Sequence, residues 1–169
     1  MDQSIDKKPE LIGNLRIFFN QNKKKIIIIF ISIIIILAAA FIWNENQNKK
    51  NLLISEKYIK AGFLLSNNEK KSALKYYEEI ILSRNKFYSL LALNIILEKN
   101  LVKQKEKIFL YFDLLEELNF SEETNDLILL KKALYYIREG NIDTGKQILK
   151  DLIQKESKFK SLAQGIISE

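Results

Sequence analysis

The stretch KAGFLLSNNEKKSALKYYEEII (residues 60–81) is matched by KALYYIREGNIDTGKQILKDLI (residues 132–153), which lies 72 residues further along the chain. Equivalent positions hold residues of similar size: Ala61 and Ala133, Ala73 and Gly145, Tyr77 and Leu149. Small residues suit places where two helices cross closely, and large apolar residues fill the groove between them. Each stretch therefore predicts a helical hairpin, with Asn67-Asn68 or Gly140-Asn141 at its turn.

The chain beyond residue 43 has no proline and is rich in helical apolar periods, so it predicts an all-α domain at residues 44–169. We expect helices at 51–65, 70–82, 86–97, 103–118, 122–138, 144–155 and 159–167. Lys99-Asn100 predicts a further turn, and Ser121 is placed to cap the helix that follows it.

The 72-residue offset is roughly twice the roughly 34-residue period of a tetratricopeptide repeat, which leaves room for a middle unit. The segments at 89–100 and 107–118 supply Ala92 and Phe112 at corresponding places. The domain thus resembles an array of about three degenerate tetratricopeptide repeats with a C-terminal capping helix. An irregular helical bundle, whose alanines simply allow close packing, is the alternative.

A second feature is KKKIIIIFISIIIILAAAFIWNEN (residues 23–46), which has no charge between Lys25 and Glu45. Residues 26–43 span roughly 27 Å as a helix, close to the roughly 30 Å hydrocarbon core of a bilayer. Their isoleucine, leucine and phenylalanine side chains favour insertion by about 4 to 8 kcal/mol. We predict a transmembrane anchor marked by Ile26, Phe30, Ile36, Phe41 and Trp43.

Two alternatives to a retained anchor remain: a buried core helix, and a signal peptide cut after the alanines at Ala38 to Ala40. The apolar run continues past these alanines, which favours retention. Lys23, Lys24 and Lys25 predict a cytoplasmic N-terminus. The basic tail at residues 1–25 also carries an amphipathic pattern at residues 11–19, so either an interfacial helix or a partly ordered tail fits it.

Composition excludes many chemistries, because the chain has no cysteine and no histidine. Disulfides, thiolate nucleophiles, imidazole bases and the usual soft metal ligands are absent. The formal charge of +6 comes from dispersed lysines without interleaved aromatics, so we predict no nucleic-acid partner. Paired glutamates such as Glu78-Glu79 favour a solvated face over a catalytic dyad, and the tyrosines favour core packing over a peptide groove. We therefore predict no enzyme activity, cofactor, metal or small-molecule substrate.

A short basic tail, one anchor and about three degenerate repeats together resemble the bacterial family of ancillary Sec translocon subunits with tetratricopeptide-like domains. The likeness is strongest in NDLILLKKALYYIREGNIDTGKQILKDLI (residues 125–153) and FKSLAQGIISE (residues 159–169). It implies a single-pass inner-membrane protein with a periplasmic domain that contacts translocon subunits, chaperones or client polypeptides. The alternative is a structural or assembly subunit of another envelope complex, serving cell division, the cell wall or respiration.

Overall fold

A computed structural model describes the backbone of residues 7–168, with side chains for Ile17 and for residues 21–168. Within these residues the chain forms helices and turns and no strand, as the all-α prediction requires. The helices are α1 (Lys7–Ser66), α2 (Lys70–Leu82), α3 (Lys86–Glu98), α4 (Lys105–Glu116), α5 (Glu122–Arg138), α6 (Ile142–Gln154) and α7 (Lys160–Ser168). The chain divides into two units, Met1–Lys50 and Asn51–Glu169.

Helix α1 differs from the sequence prediction, which places the first helix of the domain at 51–65 and separates it from the anchor. The helix instead continues through residues 44–50. That segment holds no glycine or proline, and Glu45 and Lys49 form an i,i+4 ion pair at 3.6 Å on its surface. The helix begins at Lys7, but the side chains at 11–16 and 18–20, which carry most of the predicted amphipathic pattern, lie outside the described residues.

The three predicted turns are confirmed by residues with positive φ: Asn68 at 64°, Asn100 at 47° and Gly140 at 87°. After α5, the Gly140 amide donates to the Ile137 carbonyl and the Asn141 amide to the Tyr136 carbonyl. This pair of bonds is a Schellman motif, which satisfies carbonyls that the helix end leaves free. The turn at Asn68 has the same two bonds, made by the Asn68 and Glu69 amides.

Each of the other two turns with positive φ has an ionisable residue where glycine or asparagine is usual. Arg84 and Glu156 both adopt φ of 58°. Residues other than glycine and asparagine seldom adopt this left-handed conformation, so residue type did not predict it. Ser121 does occupy the N-cap of α5, yet its hydroxyl hydrogen-bonds to the Thr124 hydroxyl at 2.9 Å, and it makes no side-chain cap.

The unit Asn51–Glu169 has two apolar clusters. The larger one joins buried residues from the end of α1 through α5, including Ile54, Phe112 and Tyr135. The smaller one joins α5, α6 and α7 around Leu149 and Ala163. Successive helices from α2 to α7 pack on one another, and α2 also contacts α4.

Polar contacts fix several of these helices against their neighbours. Lys132 on α5 donates to Asp113 at 2.8 Å and to Glu116 at 2.6 Å, both on α4. Burial alone lowers the pKa of Lys132, but the two carboxylates outweigh burial and raise it. The ammonium therefore stays charged and holds α5 against α4.

Candidate interaction surface

Helix α1 is the one helix in the described part of the chain that is long and apolar enough to cross a membrane. Of the predicted anchor positions, Phe30, Ile36, Phe41 and Trp43 are exposed by 64% to 72%, and Ile26 is half-buried. The Ser32 hydroxyl donates to the Ile28 carbonyl at 2.9 Å, which satisfies a polar group inside this segment without water. No described residue covers the apolar window of the segment.

The three predicted topology determinants, Lys23, Lys24 and Lys25, lie on α1 immediately before this segment and are exposed. Cations at this position can reach lipid headgroups while the following residues remain in hydrocarbon. The geometry thus combines a basic cluster with an uncovered apolar surface on one helix.

The structure buries all eight residues predicted to pack the repeats. They are Ala61, Ala73, Tyr77, Ala92, Phe112, Ala133, Gly145 and Leu149. Helices α5 and α6 cross closely at Gly145, where an added Cβ would lie 2.7 Å from the Ala133 carbonyl oxygen. The same atom would lie 2.5 Å from Cγ1 of Ile137. Only glycine permits this approach without a shift of one helix.

A groove of about 180 Å³ lies between α3 and α5, and we call it the α3–α5 groove. Its lining residues are Leu97, Lys131, Leu134, Tyr135 and Arg138. The four residues from α5 follow the spacing i, i+3, i+4 and i+7, so they share one face of that helix. Leu134 is 41% exposed.

The charged lining of this groove is entirely cationic. Arg138 stacks over the Tyr135 ring, with its guanidinium carbon 4.5 Å from the ring centre. Its Nε donates to Glu139 at 3.2 Å, and Glu139 does not line the groove. Burial raises the pKa of Tyr135, and the Glu139 carboxylate raises it further. The phenol therefore remains neutral, and the charged groups of the lining are Lys131 and Arg138, of which Arg138 is paired with Glu139 outside the lining.

The paired carboxylates noted in the sequence do not converge on one another. Glu78 accepts from the Tyr111 hydroxyl at 2.8 Å and pairs with Lys107 at 2.5 Å. Glu79 pairs with Lys57 at 2.8 Å, and this hydrogen bond lowers the pKa of Glu79. These acids connect helices. Among the described residues, no group of three acids could hold a metal ion.

Sequence reasoning missed two features of the domain. The first is the α3–α5 groove. The spacing of its α5 residues is visible in the sequence, but the sequence does not show which residue of α3 lies opposite them. The second is Asp126, which is 2% exposed and forms an ion pair with Lys155 across α5 and α6. Aspartate is almost never fully buried unless it is paired, so its burial could not be predicted from residue type.

The geometry therefore consists of an uncovered apolar segment, a helical domain with its own core and a cationic groove on that domain. Comparison of the chain with protein-family models, with curated proteins and with solved structures finds no match.

Proposed function

We propose that the chain is a single-pass membrane protein in which residues 26–43 anchor a protein-interaction domain, residues 44–169, close to its partners. The observation that carries this proposal is the apolar segment, which no described residue covers. Such a segment is stable in hydrocarbon and prone to aggregate in water. The lysines at 23–25 favour a cytoplasmic N-terminus, which leaves the domain on the periplasmic side of the bacterial inner membrane.

In this proposal the domain is an array of about three tetratricopeptide-like repeats with α7 as its cap. The equivalent positions at the 72-residue offset support this reading, because Ala61, Ala73, Ala133 and Gly145 are all buried. Asn68 and Gly140, which lie at equivalent positions, both have positive φ, and this adds support. Arrays of this kind present extended surfaces to other proteins rather than enclosed catalytic sites.

The partners we propose are translocon subunits, together with periplasmic chaperones or the polypeptides that emerge from the translocon. The support is the layout of tail, anchor and repeats, which resembles that of ancillary Sec subunits. A tether confines the domain to a thin layer at the membrane and raises its effective concentration for partners that work there. No catalytic residue and no cofactor are part of this proposal.

Topology is tested with single cysteines in a chain that otherwise has none. Ser72→Cys is exposed at the start of α2, and Gln21→Cys is exposed before the apolar segment. An impermeant maleimide should label position 72 in intact cells and position 21 only after lysis. The reverse pattern contradicts the orientation, and a labelled Ser72→Cys band that is shortened by the N-terminal segment contradicts a retained anchor.

Partner choice is tested by crosslinking the full-length chain in native membranes. Recovery of translocon subunits or chaperones supports the Sec assignment, and recovery of only cell-wall or respiratory proteins contradicts it. In a companion variant an unrelated anchor replaces residues 26–43. Retention of the same crosslinks supports a tether, whereas their loss indicates that the anchor itself packs in an assembly.

A further inference from the structure

We propose that the α3–α5 groove binds an acidic segment of a protein partner, which inserts one bulky apolar side chain and sets carboxylates against the cations of the groove. This inference rests on the proposed function, because it names the surface and the kind of partner for the interaction domain.

Size and lining define what the groove accepts. At about 180 Å³ it is smaller than the roughly 300–1,000 Å³ of small-molecule sites, and it suits a single large side chain. Leu97, Leu134 and Tyr135 give it apolar walls. Because Leu134 is exposed in the free protein, covering it with an apolar side chain removes its surface from water.

Charge selects the class of partner. The side chain of Lys131 makes no hydrogen bond or ion pair with any residue in the described part of the chain, and no carboxylate lines the groove. The guanidinium carbon of Arg138 lies 4.5 Å from the centre of the Tyr135 ring, and its Nε donates to Glu139. A guanidinium has five N–H donors, so Arg138 retains donors that can bind a carboxylate of the partner.

A second copy of the chain fits this groove poorly. A symmetric dimer through the groove would place the same surface of each copy against the other. Lys131 and Arg138 would then face their own counterparts, no acid lines the groove, and Glu139 is already paired with Arg138, so Lys131 would have no compensating acid. An acidic segment from a different protein meets the same charges with attraction.

The test uses the full-length chain in nanodiscs of neutral lipid. The probe is a short fluorescein-labelled peptide with a central phenylalanine flanked by glutamates, and binding is followed by fluorescence anisotropy. We expect Lys131→Glu to weaken binding about fivefold through the lost and reversed charge. Leu134→Ala should weaken it about tenfold. Lys150→Glu makes the same charge change at an exposed lysine outside the groove and should leave affinity within about twofold.

Two comparison peptides separate the contributions of charge and apolar contact. Replacing the glutamates with lysines should abolish binding, and replacing the phenylalanine with alanine should weaken it about as much as Leu134→Ala does. Binding of the lysine peptide as tight as that of the acidic one overturns the proposal. Wild-type affinity of both Lys131→Glu and Leu134→Ala for the acidic peptide also overturns the proposal. A dimer that is seen in sedimentation of the wild-type chain and is lost in Leu134→Ala overturns it as well, because a second copy would then occupy the groove.

Membrane crosslinking of the same variants separates this inference from the proposed function. If Lys131→Glu no longer binds the peptide but keeps every crosslink, the α3–α5 groove is not the surface that binds the partners. The proposal of a membrane-tethered interaction domain is then retained. If the wild-type chain binds the peptide selectively but gives no crosslink to translocon subunits or chaperones, the Sec assignment is overturned and the groove stands.

Discussion

The crossing of α5 and α6 at Gly145 gives the sharpest stability prediction. In Gly145→Ala the new Cβ would lie 2.5 Å from Cγ1 of Ile137 and 2.7 Å from the Ala133 carbonyl oxygen. The carbonyl belongs to the backbone of α5, so a side-chain rotation cannot relieve that contact. Overpacking of this kind costs about 1–3 kcal/mol, while alanine gains about 0.5–1 kcal/mol over glycine in a helix. The two ranges leave a net loss of about 0–2.5 kcal/mol in the free energy of unfolding, and we expect the upper half of that range because the backbone contact cannot be relieved.

The chain contains its own matched control for this substitution. Gly165 lies in α7, and no atom lies within 4 Å of a Cβ added there. Gly165→Ala should therefore show only the helix-propensity gain, about 0.5–1 kcal/mol of added stability. Both variants of the full-length chain are unfolded with urea in detergent and followed by far-UV circular dichroism. Their free energies of unfolding are compared with one shared value for the dependence on urea concentration. The packing argument fails if Gly145→Ala is stabilised as much as Gly165→Ala.

Three further predictions concern buried polar groups. Lys155→Met leaves the buried Asp126 carboxylate without its ion pair and should destabilise the domain by about 1–3 kcal/mol in urea unfolding. The control Lys158→Met breaks an exposed ion pair and should cost less than about 0.5 kcal/mol. Equal losses in the two variants would contradict the importance of burial. Ser89→Ala removes a buried hydroxyl that donates to the Ile80 carbonyl near the end of α2 at 3.0 Å. It should lower the free energy of unfolding by about 1 kcal/mol in the same assay, and an unchanged free energy would contradict a stabilising hydrogen bond. Burial and the Glu78 carboxylate raise the pKa of Tyr111, so the neutral phenol stabilises the fold fully below the unfolded-state pKa of about 10 and less as the pH rises above 10. Tyr111→Phe should therefore flatten the alkaline decline of the melting temperature in thermal unfolding. An unchanged dependence on pH would refute this role of Tyr111.

Helix positions were predictable wherever apolar periodicity and turn residues agreed. The bounds of α2 and α5 match the prediction at both ends. Asparagine or glycine marked three of the five turns with positive φ. The turns at Arg84 and Glu156 were not predicted, because arginine and glutamate seldom adopt positive φ and so do not signal a turn. The continuity of α1 was missed because a polar segment at 44–50 looks like a linker, although none of its residues breaks a helix.

The candidate groove was less predictable than the fold. Lys131, Leu134, Tyr135 and Arg138 already lie on one face in the sequence, so the cationic and apolar character of that face was available. What makes it a groove is Leu97, which comes from another helix and is placed by the packing of α3, α4 and α5. Spacing within a helix therefore predicts the chemistry of a surface, and only the three-dimensional arrangement supplies its opposite wall.

The two matched stretches, residues 60–81 and 132–153, resemble one another in how their first helix ends more than in how their second helix packs. Asn68 and Gly140 end their helices with the same pair of backbone hydrogen bonds. The next equivalent pair, Tyr77 and Leu149, fills two separate clusters: Tyr77 meets the Tyr58 ring edge-on at 5.9 Å, whereas Leu149 packs in the aliphatic cluster of α5, α6 and α7. The same pair of bonds also ends α3 at Asn100 and α6 at Glu156, so it is a general way of ending helices in this domain and does not by itself mark a repeat. Close helix crossings tolerate few substitutions, whereas a core needs only matched volume and apolar character, which is why Tyr77 and Leu149 can occupy matched positions in different clusters.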